Sequence, residues 1–201
     1  RHSDLTIRQI DLNSFMIEDI SSLIQGDTGH LLLRDLNSKV YRGRLAGEIL
    51  LEYPPSLAYI IKLDLYDLDI EKMKDVTPTL YHQIEGRLNG QLHLEGEKEK
   101  LRFIQTNLTL PKGGQLRARL LDFLIQYIPK SQEKKKLEAS IKSDAKVPVE
   151  SVSVKLKSLN QNQISGHLFL ASQQLNLNLN APIDIKMDGR IDYLYKQWKN
   201  F

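Results

Sequence analysis

The sequence predicts a mainly β fold with a few short helices, and three observations carry that expectation. Apolar and polar residues alternate strictly in segment after segment, the connections between segments are short, and a glycine-centred strand pattern recurs. The clearest segment is "EGRLNGQLHLEG", residues 85–96. Ile84, Gly86, Leu88, Gly90, Leu92, Leu94 and Gly96 share one parity, while Glu85, Arg87, Asn89, Gln91, His93 and Glu95 share the other. Successive side chains of a strand point to opposite faces, so this is one long strand with an oily face and a wet face.

Taken in chain order, residues 14–24 are the first to break the rhythm. Met16, Ile17, Ile20, Leu23 and Ile24 follow helical spacing after a cap at Asn13 or Ser14, which predicts a helix. Residues 41–53 return to alternation and set Leu45, Ile49 and Leu51 on one face with Gly43 and Gly47; Tyr59, Ile61, Leu63 and Leu65 do the same in 59–65. After the strand at 84–96, residues 100–110 offer Ile104, Leu108 and Leu110.

Residues 117–128, "RARLLDFLIQYI", are polar only at Arg117, Arg119, Asp122 and Gln126. They predict a helix that is oily over most of its surface and stops before Pro129. At about 1.5 Å per residue it is about 18 Å long, too short to span a bilayer. Leu120, Leu121, Leu124, Ile125 and Ile128 are its candidate contacts, as a plug on the sheet or as a dip into a membrane or partner. The run Lys134–Lys135–Lys136, flanked by Glu133 and Glu138, reads as a solvated loop.

Val152, Val154 and Leu156 then alternate with Ser and Lys, and "LNLNLNAPIDIKMD" sets Leu175, Leu177, Leu179, Ile183, Ile185 and Met187 against Asn, Asp and Lys. Ile191, Leu194, Tyr195 and Trp198 close the chain at helical spacing. The total is roughly a dozen strands, mostly antiparallel.

A repeat runs through these strands. "GRLAGEILLE" at 43–52 and "GRLNGQLHLE" at 86–95 match at an offset of 43 residues, and "ISGHLFL" at 164–170 is a weaker third copy. Such a period in strands suggests a sheet extended by similar hairpin units.

Composition limits the function classes. With 28 Lys+Arg against 25 Asp+Glu, the net charge of +3 argues against a nucleic-acid surface. There is no cysteine for a disulfide or thiol chemistry, and no apolar run approaches the ~20 residues of a spanning helix. The chain opens on Arg1 without Met, which leads us to expect a piece of a longer protein. At 41% hydrophobic residues and a mean hydropathy of −0.37, it is lean for a closed globule of 201 residues.

Reactive constellations are missing from the sequence. The histidines His2, His30, His82, His93 and His167 lack metal-ligand spacing, and "DLYDLDIEK" lacks the glycine and spacing of a calcium loop. Gly113–Gly114 reads as a turn, and no Ser or Thr sits in a nucleophile elbow. The expectation is a non-enzymatic protein with neither cofactor nor metal.

"VYRGRLAGEILLE", a strand ending "LDLYDLDIEKM", "IEGRLNGQLHLEG" and "GGQLRARLLDFL" together resemble the AsmA-like envelope proteins, within them the YdbH type. The closing "LNLNAPIDIKMDGRIDYLY" is similar to the end of such proteins, and the resemblance covers about residues 29–195. It implies a long curved antiparallel sheet forming an open hydrophobic groove. It further implies a periplasmic setting in a Gram-negative envelope, inner-membrane anchoring through a missing N-terminal segment, and a role in carrying phospholipid toward the outer membrane. Residues 1–201 are then one groove domain, a C-terminal fragment of the longer protein.

On that reading Leu45, Ile49, Leu51, Leu88, Leu92, Leu94, Ile104, Leu108 and Leu110 line the lipid groove, and phospholipid acyl chains are the partner. The glycines on the oily face let the sheet bend and leave room for a guest. Leu177, Leu179, Ile183 and Ile185 form an exposed edge, where the resemblance implies strand addition by an outer-membrane lipoprotein. A self-contained β-sandwich that binds protein rather than lipid is the alternative. A membrane barrel is a third, weakened by the helices and by only 14 aromatic residues (Trp 1, Tyr 8, Phe 5).

Overall fold

The computed structural model describes residues 2–12, 15–75, 84–98, 100–117, 122–125, 130–142, 146–160, 163–174 and 177–186. Five hairpin-connected strands come first: β1 (His2–Leu12), β2 (Phe15–Gly26), β3 (His30–Val40), β4 (Gly43–Glu52) and β5 (Ala58–Asp69). A 3-10 turn at Ile70–Asp75 precedes β6 (Ile84–Glu97) and β7 (Lys100–Leu110). An insertion follows, with β8 (Gly114–Arg117), α1 (Asp122–Ile125), α2 (Gln132–Lys142) and β9 (Lys146–Val149). The chain then returns to the main sheet as β10 (Ser151–Asn160), β11 (Gln163–Ser172) and β12 (Leu177–Lys186).

One antiparallel sheet runs in the order β1-β2-β3-β4-β5-β6-β7-β10-β11-β12, with β8 and β9 branching from the start of β6. It does not close, because β1 and β12 stand at opposite ends of this path. The mainly β, open-sheet expectation therefore holds, and the second packed sheet of a sandwich has no counterpart among the described residues.

Residues 14–24 correct the first expected helix, since Phe15–Gly26 is strand β2. The cause lies in a β-bulge. Between Glu18 and Ser21 the strand advances three residues while β3 advances two, and Asp19 adopts a positive φ of 50°. One extra residue exchanges the faces of everything beyond it. Ile17 and Ile20 thus share a face, and the broken period of two imitates a helix.

The same device recurs at Asp35 (φ 50°) in β3 and Asp67 (φ 54°) in β5, each beside a register shift. All three aspartates precede a buried aliphatic residue: Ile20, Leu36 or Leu68. Aspartate tolerates this left-handed backbone better than most residues, and a β-branched side chain tolerates it worst. We expect Asp35→Val to destabilise the protein by about 1–2 kcal/mol in urea unfolding, and Asp35→Asn to leave it nearly unchanged. Equal stability of the two variants would refute this account of the bulge.

The larger core sits at one end of the sheet, and a smaller cluster packs Leu94, Ile104 and Leu156 against buried Leu101 and Ile164. Leu137 of α2 is fully buried among Leu110, Leu116, Val147, Val149 and Leu170, with Ile70 and Leu179 in the same cluster. Those residues come from the 3-10 turn after β5, the β8–β9 hairpin, α2 and strands as far as β12. From β5 to β12 is five steps along the sheet, roughly 24 Å if it were flat. The insertion between β7 and β10 bridges that span.

α2 corrects the loop expected at Lys134–Lys136. The Ser131 hydroxyl caps it by accepting the Lys134 backbone N–H at 3.1 Å, and Leu137 and Ile141 point from one stripe into the core cluster. The oily helix expected over 117–128 is helical at Asp122–Ile125, whereas Arg117 belongs to β8. Ile125 packs against the core cluster. Leu120, Leu121 and Ile128, like the expected helix at 191–198, lie outside the described residues.

Candidate functional site: an apolar sheet face closed at one end

The strand registers stack the oily residues into rows that cross the sheet. Leu45 pairs with Leu65, Leu65 with Gly90, Gly90 with Leu108, and the row continues through Val154 and Leu168 to Ala181. The next row runs from Gly47 through Leu63, Leu92, Thr106 and Leu156 to Gly166. Beyond it, Ile49 pairs with Ile61, Ile61 with Leu94 and Leu94 with Ile104; Leu51 pairs with Tyr59 in the row after that. Leu88 pairs with Leu68 and packs on the cluster that contains Leu110. The registers thus bring all nine expected groove residues onto one face.

Burial divides this face. At β11 and β12 it is covered: Leu168 is 1%, Leu170 0%, Leu179 3% and Ala181 2% exposed. At β4, β5 and β6, by contrast, Leu45, Ile49, Leu63, Leu65, Leu92 and Leu94 are only half-buried. The rows through Leu45 and Gly47 therefore begin as a half-buried apolar surface and run toward the end covered by β8, β9 and α2, whereas the row through Leu94 and Ile104 ends against buried Leu101 and Ile164. At this end Leu137 fills the cluster, with Ile141 and Ile125 packed around it; of the expected plug, Leu120, Leu121, Ile128 and the Leu124 side chain lie outside what is described.

Polar groups on the face are turned to the backbone. Buried Thr106 donates its hydroxyl to the Gln91 carbonyl at 3.0 Å, and Ser172 donates to the Pro148 carbonyl at 2.7 Å. One polar atom is left over. The Tyr59 hydroxyl is buried without a hydrogen-bond partner, and burial pushes its pKa above the ordinary phenol value. Sequence reading placed Tyr59 on the oily face and gave it no role; only the registers reveal an unspent donor there.

The face glycines leave less room for a guest than expected. A Cβ at Gly90 would meet Leu108 Cδ2 at 2.7 Å, so Leu108 already fills the space. Gly47 is required for another reason: its φ of 152° is one that side chains rarely adopt, and it is packed against the Lys62 carbonyl.

The opposite face is wet and cross-linked. Lys62 Nζ meets Glu48 Oε1 at 2.8 Å, which holds the Glu48 carboxyl below the usual range, first through the hydrogen bond and then through the lysine charge. Gln91 donates to Asp64 at 2.9 Å. A depression of about 690 Å³ lies over this wet face, with the strand floor of Gly47, Leu63 and Leu92 beneath it.

β12, which carries Leu177, Leu179, Ile183 and Ile185, is the last described strand and among the described residues pairs only with β11. Pro182 sits within it, opposite His167. No group of three or more potential metal-ligating residues occurs among the described residues, and no helix among them is long and apolar enough to cross a membrane. Comparison with protein-family models, with curated proteins and with solved structures finds no match.

Proposed function

We propose that this protein binds phospholipid acyl chains along its apolar sheet face and supports their passage between the inner and outer membranes without covalent chemistry. The carrying observation is the set of in-register apolar rows left half-buried across β4, β5 and β6. A soluble sheet normally covers such rows or breaks them with polar residues. Burying an acyl chain is worth about 0.8 kcal/mol per CH₂, so a 16-carbon tail has about 12 kcal/mol to gain in full burial, and an open face captures part of it.

The chemistry needs no headgroup specificity. Aliphatic rows grip a chain at any point along its length, which suits sliding. The resemblance to AsmA-like proteins supports the same reading and supplies its periplasmic setting. It also supports an outer-membrane lipoprotein adding a strand to β12, whose outer edge has no strand neighbour among the described residues. Nucleic acid is not a partner on this reading.

The test uses a photo-crosslinking amino acid in cells. Placed at Ile49 or Leu92, on the apolar rows, it should capture phospholipid. Placed at Glu48 or Gln91, on the wet face of the same strands, it should not. Equal capture from both faces would remove the proposal.

A further inference from the structure

We propose that the outer face of α2 is a docking surface for an anionic phospholipid bilayer. The contact is with headgroups at the closed end of the sheet, so it stands apart from acyl chains on the open rows.

Charge is segregated along this chain. Of the 28 Lys+Arg and 25 Asp+Glu, nine and four fall in residues 112–149, the insertion between β7 and β10, which leaves nineteen against twenty-one elsewhere. The small overall excess of +3 therefore hides a cationic insertion on a slightly acidic sheet. The density peaks at α2, where Lys130, Lys134, Lys135, Lys136 and Lys142 stand against Glu133 and Glu138.

The fold turns much of this charge outward. Leu137 and Ile141 hold the inner side of α2 on the core cluster. Lys135, Ala139 and Lys142, at i, i+4 and i+7, share the far side and are all exposed. Lys135 and Lys142 have no ion pair among the described residues, whereas Lys39 and Lys62 on the sheet are held by Asp19 and Glu48. Helix stability does not account for the run, because Lys134 and Lys135 fall in the first turn, where the helix dipole disfavours cations.

Residue type selects the partner. α2 carries no arginine and no aromatic residue. Nucleic acid is held by arginine forks and stacked rings, and a protein partner by aromatic or arginine anchors. Lysine ammoniums on flexible stems act as point charges, which suits a fluid surface whose phosphates have no fixed positions. Clusters of about four to eight such cations are the kind that anionic leaflets attract.

Co-sedimentation of the purified chain with vesicles tests the surface. Phosphatidylcholine vesicles with about 30% phosphatidylglycerol should bind it at low salt, and pure phosphatidylcholine should not. About 0.5 M salt should release it, since the screening length then falls to a few ångströms. Lys135→Gln with Lys142→Gln keeps helix propensity, so the melt should hold while binding falls at least about tenfold. Lys155→Gln with Lys157→Gln removes the same charge from exposed positions on the other face of the sheet, and should change binding less than about twofold. Equal binding to neutral and anionic vesicles, equal losses in the two double variants, undiminished binding in the α2 variant, or a preference for poly-glutamate or short RNA offered in competition would each overturn the proposal.

Discussion

Leu137→Ala should lower stability by about 3 kcal/mol, within the range for deleting a fully buried leucine. For a chain of this size that is a fall in Tm of about 6–12 °C. The size of the effect follows from position. Leu137 is the fully buried side chain of α2, and it fills the space between the β8–β9 hairpin and strands β11 and β12. Its neighbours come from a long stretch of the sheet, so they cannot collapse together into the vacancy without bending the sheet. A thermal melt checks this, with Leu159→Ala as the comparison: Leu159 is 61% exposed and its loss should stay within about 0.5 kcal/mol. Similar melts for the two variants would mean that α2 does not anchor the closed end.

The legibility of the fold in the sequence depended on where bulges fall. β4 and β6 carry unbroken alternation, and both were readable almost to the residue. β5 was readable only as 59–65, because Asp67 reverses the faces just beyond it. β3 holds Leu31 and Leu33 on one parity and Leu36 and Val40 on the other, with Asp35 between, so it gave no periodic signal at all. In β2 the same interruption imitated a helix. A sharper sequence signal was available: Glu18–Asp19–Ile20, Arg34–Asp35–Leu36 and Tyr66–Asp67–Leu68 each place an aspartate before an aliphatic residue where the period slips.

α2 was hidden for a different reason. Most of its surface is Lys, Glu and Gln, and only Leu137 and Ile141 touch the core. Two apolar residues at an i, i+4 spacing are weak evidence of a helix, although Ser131 after Pro129 is a start signal. The candidate site divides the same way. The composition of the apolar rows was legible because it rests on strand parity. Their division into a covered half and an open half was not, since it depends on where an insertion between two distant strands folds back. Nor was the unpaired Tyr59 hydroxyl legible, because an unpaired polar atom is a property of its neighbours.

Leu92→Asp should reduce phospholipid capture at least about tenfold while the protein stays folded. Leu92 lies midway along the open rows, paired with Leu63 on one side and Thr106 on the other, and it is half-buried. A carboxylate there can keep its water as long as the face is empty, so the cost to folding is limited to lost side-chain packing and strand propensity, about 1 kcal/mol. An acyl chain crossing the same spot would strip that water away, and a penalty of 1.4 kcal/mol already amounts to tenfold. Leu168→Asp provides the contrast. Leu168 occupies the neighbouring row but is 1% exposed beneath the covered end, so its carboxylate would be buried without a partner at a cost of several kcal/mol. Circular dichroism melts and lipid crosslinking on both variants separate the possibilities. If Leu92→Asp unfolds the protein as Leu168→Asp does, the rows at β4–β6 are a packed core and not an open surface. If it folds and still captures phospholipid at the wild-type level, acyl chains do not run along this face.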